Sequence, residues 1–294
     1  MEGIRLKRFE QLNPFTVAVY YLCVLGIIMF SMNPLLLSIA LITSVLSAVI
    51  SHTADRRAHL FSAAVFVIAA ALNPLFVHKG ETPLFFLNNR PVTLEATVYG
   101  LCAAAMLTAA LYRLRDLSKA MTSDKVMYLF GRFSPKIALL ISMAIRYLAL
   151  FKMRWRKIVD SQRALGLFDD GNLIDAVRGR ARVLSILITW TLENGIVTAE
   201  SMESRGYGSG RRTSYAVYRV HRVDVILMIC IILLTAIAAV GAKLSEVNYY
   251  PMLSMDLLTP WGAAGAAAFT VLSVLPLMIN VKEAVRWRIL LSKT

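Results

Sequence analysis

The stretch Ile137–Tyr207 decides the fold. It holds two long amphipathic patterns in series that close on similar phrases. The first ends Ser161-Gln162-Arg163-Ala164-Leu165-Gly166, the second Ser201-Met202-Glu203-Ser204-Arg205-Gly206-Tyr207. Gly after the last periodic residue marks a helix end, because it takes the left-handed backbone. A cation in the last turn complements the exposed carbonyls. The second pattern places Ile174, Val177, Ala181, Leu184, Ile188, Thr191, Gly195, Ala199 and Met202 at steps of three and four. That spacing predicts one continuous apolar-to-small stripe on the packed face. Arg178, Arg180 and Arg182 load the start of this helix, and Glu193, Glu200 and Glu203 its end. The polarity opposes the helix dipole, so these charges serve partners, lipid or the neighbouring helix.

The first pattern has two parts. Ile137–Leu150 is nearly all apolar with Arg146 its only charge, and reads as a short buried or re-entrant helix at the membrane. Lys152–Lys157 then turns basic, with Arg154, Arg156 and Lys157 around Trp155, an interfacial signature. Asp169-Asp170-Gly171-Asn172 is a turn between the two patterns. Upstream, Thr122-Ser123-Asp124 signals a helix start, with a short helix to about Phe133, and Ser134-Pro135 restarts the chain.

Everything outside this region reads as membrane. The chain is 57% hydrophobic with a mean hydropathy of +0.62, which excludes an ordinary soluble enzyme. Apolar runs cover 15–31, 35–50, 60–77, 92–112, 223–242 and 259–280, near the roughly 17–25 residues that cross a bilayer. The expected fold is all-α: a polytopic helical membrane protein of about six spans, with long amphipathic cytosolic helices inserted between spans four and five. The organisation is a membrane region over 1–112, an insert over 113–222 and a second membrane region over 223–294. Asn33-Pro34 makes a tight reversal between the first two runs.

Six spans place the head, the Ser51–His59 loop, the insert and the tail on one side. That side carries 29 of the 32 Lys and Arg; the other holds only Lys79, Arg90 and Lys243. The asymmetry assigns the first side, with both termini, to the cytoplasm.

No catalytic constellation is visible. Cys23, Cys102 and Cys230 lie apart inside apolar runs, which excludes a disulfide framework. His52 and His59 read as solvated interfacial residues, since no carboxylate or cysteine joins them in a metal set. Gly206-Tyr-Gly-Ser-Gly-Arg-Arg-Thr213 is glycine-rich but lacks the Gly-Lys-Ser/Thr ending that binds nucleotide phosphates. It reads as a flexible exit from the helix. No metal site and no cofactor are expected in this chain. The basic insert suits anionic lipid and acidic protein grooves better than nucleic acid, because its cations sit beside spans and between apolar stripes.

The chain resembles the transmembrane T component of energy-coupling factor (ECF) transporters, the EcfT/CbiQ type. The resemblance rests on Asn13-Pro-Phe-Thr16, Ser31-Met-Asn-Pro-Leu-Leu-Leu37, Met143-Ala-Ile-Arg-Tyr147 and, most specifically, the two closing phrases. It implies a non-catalytic transport subunit of the plasma membrane. Its two tips would dock on two cytosolic ABC ATPases, as a homodimer or heterodimer, which bind ATP and Mg. Its membrane part would meet a small substrate-binding S component for vitamins or metal ions. It also implies two Ala-Arg-Gly-like ATPase-binding motifs, here Arg163, Ala164, Leu165 and Gly166, and Ser204, Arg205 and Gly206. The second departs by Ser204 for Ala. The first has Leu165 where the family's Arg would stand. Arg163, two residues earlier, is turned away by about 200°.

Two other classes make different demands. A conventional ABC importer permease that binds substrate itself would show a short coupling loop near a Glu-Ala-Ala…Gly segment. An intramembrane enzyme would show clustered His, Asp or Glu at membrane depth. Neither signature is found in the sequence.

Overall fold

A computed structural model describes residues 9, 12–50, 55–77, 80–87, 90–167, 173–210, 220–245, 247–250, 254–255 and 259–291. The described residues form nine helices and two small antiparallel hairpins. The chain divides into two compact units, one of residues 1–126 with 218–294 and one of residues 127–217.

The first unit is a bundle of α1 (Pro14–Phe30), α2 (Pro34–Ile50), α3 (Arg56–Phe76), α4 (Leu94–Ala120), α8 (Arg222–Leu244) and α9 (Pro260–Leu291). The helices α3, α4, α8 and the Pro260–Lys282 part of α9 are long and apolar enough to cross a bilayer; α1 and α2 are apolar but only 17 residues each. The expectation of about six spans therefore stands at four full-length helices and two short ones. The chain is an all-α membrane protein.

Two of the three Asn-Pro pairs start helices in the same way, while Asn73-Pro74 lies inside the last turn of α3. The side chain of Asn13 accepts from Phe15 N at 3.0 Å, and that of Asn33 accepts from Leu35 N at 3.0 Å. Pro14 and Pro34 occupy the first helical position, where a missing N–H costs nothing. Asn33 also ties the α1–α2 turn to the end of α8. Its amide donates to Ser245 Oγ at 3.0 Å and to Ser245 O at 3.3 Å. Tyr249 donates its phenol hydrogen to Met32 O beside it. Burial, followed by contact with Cys102, pushes that phenol well above its usual pKa and keeps it a donor.

At the other end of the bundle, α4 continues to Ala120, eight residues past the expected span end at Tyr112. The extension buries two charged residues that the sequence reading placed in the insert. Arg113 is 1% exposed, and its Nη2 donates to Thr43 Oγ1 of α2 at 3.2 Å and to Ser273 O of α9 at 3.1 Å. Asp116 accepts from Ser47 Oγ at 2.8 Å. Pro276 lies inside α9 and provides no N–H for Leu272 O, one residue before the carbonyl that Arg113 reaches. His59, expected to be solvated, shares a hydrogen bond of 2.9 Å between Nδ1 and the Tyr112 hydroxyl; His52 lies outside the described residues.

The polar loops contain unexpected strands. Strands β1 (Pro83–Leu87) and β2 (Arg90–Thr93) pair antiparallel, with Leu87 opposite Arg90. Likewise β3 (Val247–Asn248) pairs with β4 (Ser254–Met255).

A close backbone approach joins α8 to α9. A Cβ on Gly241 would lie 2.6 Å from Gly265 Cα and 2.8 Å from Trp261 O, so only glycine permits the approach. Gly26 of α1 has nothing within 4 Å of its Cβ position. Gly241→Val is expected to destabilise the bundle by about 1–3 kcal/mol, the usual cost of overpacking. Gly26→Val should be nearly neutral. Melting curves of the purified variants in one detergent check the difference.

Candidate functional site

The second unit is built on two long helices. The chain enters through α5 (Ser123–Phe133), which starts in the first unit. After Ser134, Pro135 opens α6 (Pro135–Ala164), and α7 (Leu173–Ser204) follows. Ile137–Leu150 is therefore not a separate re-entrant element. No Gly or Pro interrupts the sequence from Lys136 to Leu165, so the helix runs unbroken through the basic segment to its tip. Nor is it buried: no α6 residue is, and Leu140 and Leu148 are 65% and 66% exposed.

The two helices run in opposite senses and meet around one aromatic cluster. Tyr147 and Phe151 stack at 5.9 Å, and Phe151 meets Trp190 edge-on at 6.3 Å. The guanidinium carbon of Arg154 lies 4.9 Å from the centre of the Trp190 ring. Tyr147 and Thr198 share a hydroxyl hydrogen bond of 3.1 Å. Such ring pairs and cation–π contacts are worth roughly 0.5–1.5 kcal/mol each. Trp155, the aromatic singled out from sequence, is not the ring beneath Arg154; that ring is Trp190, 36 positions on. Beside this meeting point Leu140, Met143, Gly195, Ala199 and Met202 line an apolar cleft of about 440 Å³.

The covered face of α7 differs from the expected stripe. Ala176, Gly179, Val183 and Leu187 are buried, whereas Val177, Ala181, Leu184 and Ile188 are exposed. In the first half the true face lies one position earlier, a rotation of about 100°. Beyond Thr191 the half-covered residues are Asn194, Thr198 and Met202. Periodicity counts apolar side chains, and α7 carries two candidate stripes. In the first half the covered stripe mixes Ala176 and Gly179 with Val183 and Leu187, so the second aliphatic set drew the reading to the wrong side there; in the second half Thr191 and Met202 of the expected stripe are half-covered.

The two tips have the same backbone. At the first, Leu167 N donates to Gln162 O at 2.9 Å and Gly166 N to Arg163 O at 3.0 Å, with Gly166 at φ +66°. At the second, Tyr207 N donates to Met202 O at 2.9 Å and Gly206 N to Glu203 O at 2.9 Å, with Gly206 at φ +79°. Both are Schellman caps, in which a left-handed glycine lets the chain fold back on its last carbonyls. The geometry aligns Ala164 with Ser204, Leu165 with Arg205, Gly166 with Gly206 and Leu167 with Tyr207. Arg163 aligns with Glu203, not with Arg205.

All of these tip residues are exposed, Leu165 at 68%. Arg205 has no hydrogen-bond or ion-pair partner among the described residues. Ser204 Oγ donates to Ser201 O at 3.0 Å. The first tip has a brace that sequence reasoning missed: Arg182 of α7 donates from Nη1 to Leu167 O at 3.3 Å. Of the three arginines at the start of α7, Arg178 instead pairs with Asp175 at 3.8 Å on the exposed surface. Because the helices are antiparallel, the tips lie at opposite ends of the pair, on the order of 40 Å apart at 1.5 Å per residue. Beyond Gly206 the described exit to Gly210 is a run of turns, and Arg211–Thr213 lie outside the described residues.

Among the described residues, this arrangement is a pair of exposed, capped helix ends on a membrane protein. No protein-family model matches the chain. Two curated proteins are similar over part of it. The energy-coupling factor transporter transmembrane protein EcfT of Lactobacillus helveticus (strain DPC 4571) is 42% identical over 84 residues, 28% of this chain and 30% of the relative. The protein of the same name from Streptococcus thermophilus (strain ATCC BAA-250 / LMG 18311) is 34% identical over 82 residues, 27% of this chain and 31% of the relative. The chain thus matches about a third of the length of these relatives. They support an EcfT-type protein.

The left-handed cap residues carry a direct test. Gly206→Ala should cost about 1 kcal/mol at the second tip. Amide hydrogen exchange at Tyr207 should then accelerate about fivefold with Gly166 unaffected, and Gly166→Ala should do the converse at Leu167.

Proposed function

We propose that this chain is the energy-coupling membrane scaffold of an ATP-driven ECF-type importer of micronutrients, vitamins or metal ions. In this reading the α6–α7 pair engages two cytosolic ABC ATPases, a homodimer or a heterodimer, through Ala164–Gly166 and Ser204–Gly206. The membrane helices accompany a small substrate-binding S component. The chain hydrolyses nothing itself; ATP and Mg belong to the ATPases. It sits in the plasma membrane with both termini in the cytoplasm, as the distribution of Lys and Arg argues.

The observation that carries the reading is the pair of identical caps at opposite ends of one antiparallel helix pair. Two symmetric partners require two equivalent contacts a fixed distance apart, and one helix tip would not supply them. The likeness to EcfT proteins supports the same reading. Arg205, exposed and without a hydrogen-bond or ion-pair partner among the described residues, suits an acidic groove. Leu165 at the matching position offers an apolar side chain and no charge.

Arg205→Glu should weaken ATPase attachment at the second tip by about 30-fold or more, since losing one partner of a desolvated charge pair costs roughly 2–5 kcal/mol. Transport should fall with it, and the melting temperature of the isolated chain should not change. Leu165→Arg should be tolerated. Co-purification of the ATPases with each variant, alongside uptake in cells, measures this. Normal assembly and uptake with Arg205→Glu would sink the coupling role of that tip.

A further inference from the structure

In the first unit, α1 and α8 pack together and leave an open crevice of about 630 Å³ along their outer faces. Its walls are apolar and partly small: Leu22, Gly26 and Phe30 from α1, and Ala239 and Ala242 from α8. The room is made at Gly26, where nothing stands within 4 Å of a Cβ, and by the alanines opposite. One end is polar. Lys243, in the last turn of α8, is exposed there, with Asn248 beyond it. The hydrogen-bonded pair of Asn33 and Ser245 closes that end. Lys243 is one of only three cations on its side of the membrane by the charge distribution.

We propose that this crevice binds a phospholipid, with one acyl chain lying along α1 and α8 and the phosphate held by Lys243. The crevice matches that molecule in order as well as in composition. A long apolar trough running along the helix axes ends at one cation and one amide at the level where the helices stop. An acyl chain covers Leu22 and Phe30, which are 74% and 94% exposed in the isolated chain. The lysine then meets an anionic phosphate rather than bulk water. A partner's membrane helix would fill the trough but would leave Lys243 without its counter-charge. The site involves neither α6 nor α7, and it stands or falls independently of the coupling role.

The test uses the full-length chain in liposomes containing phosphatidylglycerol with a photoreactive group in its acyl chain. After illumination, labelled peptides are mapped by mass spectrometry. Label should concentrate on residues 22–30 and 235–242 relative to the equally exposed face of α3. Lys243→Ala should reduce it about fivefold, the loss of one lysine–phosphate contact near a membrane surface. Gly26→Leu, whose Cβ would have open space and whose side chain extends into the trough, should abolish it while leaving the melting temperature unchanged. Equal labelling of α1, α8 and α3, or labelling unaffected by both substitutions, would reduce the crevice to ordinary lipid contact and overturn the proposal. Cross-linking of Cys23, which also lines the crevice, to another protein in place of lipid labelling would overturn it as well.

Discussion

The second unit depends on a single ring. Trp190 receives the edge of Phe151 on one side and the guanidinium of Arg154 over its face. Long antiparallel helices can pack along their whole length or meet mainly at one place, and here the aromatic contacts gather between Tyr147 and Arg154 on α6. From there each helix runs on toward its own capped end. A helix is stiff over these lengths, so motion at one tip becomes rotation about the contact. At about 25 Å from it, a rotation of about 5° displaces a tip by roughly 2 Å. On the coupling role proposed above, that scale is the one on which packed interfaces change partners, and the pair would act as a lever.

The first unit solves a different problem. A bundle in lipid gains little from burying apolar side chains, which are content on either side, so close backbone approach and polar ties decide how its helices pack. Gly241 and Gly265 supply the approach between α8 and α9. Arg113 ties α4 to α2 and α9 at one end, and Asn33 ties the α1–α2 turn to α8 at the other. Each tie joins segments far apart in sequence, separated by 160 residues for Arg113 and Ser273 and by 212 for Asn33 and Ser245. The long insert between α4 and α8 is compatible with a closed bundle because these contacts bring its two ends to the same body.

Local features were legible in the sequence and distant ones were not. Asn13-Pro14, Asn33-Pro34, Ser134-Pro135 and the two glycines are each read from a few adjacent residues, and the structure places helix boundaries at these. The span ends followed from hydropathy, except at α4 and at α9, which runs on to Leu291. At α4 the reason is clear. There Arg113 and Asp116 looked like the start of a polar segment, because burial of a charge depends on partners in α2 and α9 that no window around residue 113 contains. The covered face of α7 failed for a related reason. Periodicity gives the pitch of a stripe but not which of two stripes is covered, and Gly179, Asn194 and Thr198 announce no packing by themselves. The meeting of Arg154 with Trp190 needed the register of two helices, which was equally out of reach.

The closing phrases show what geometry adds to such a reading. The resemblance already set Leu165 where a motif arginine would stand, opposite Arg205. The caps show the same pairing in the backbone, because each is the last residue before the left-handed glycine. Arg163 aligns with Glu203, one step back around the helix. The ends are thus equal in backbone and unequal in chemistry: one shows a cation beside carbonyls that already favour positive charge, the other an exposed aliphatic side chain. A partner surface that fits the first has acidic groups, and one that fits the second gains only by covering Leu165 and Leu167. Two identical partners would therefore be held with unequal strength, and two different partners would be told apart by which end they meet. On the coupling role proposed above, the difference at this one position is enough to give a single chain an orientation on its ATPase pair.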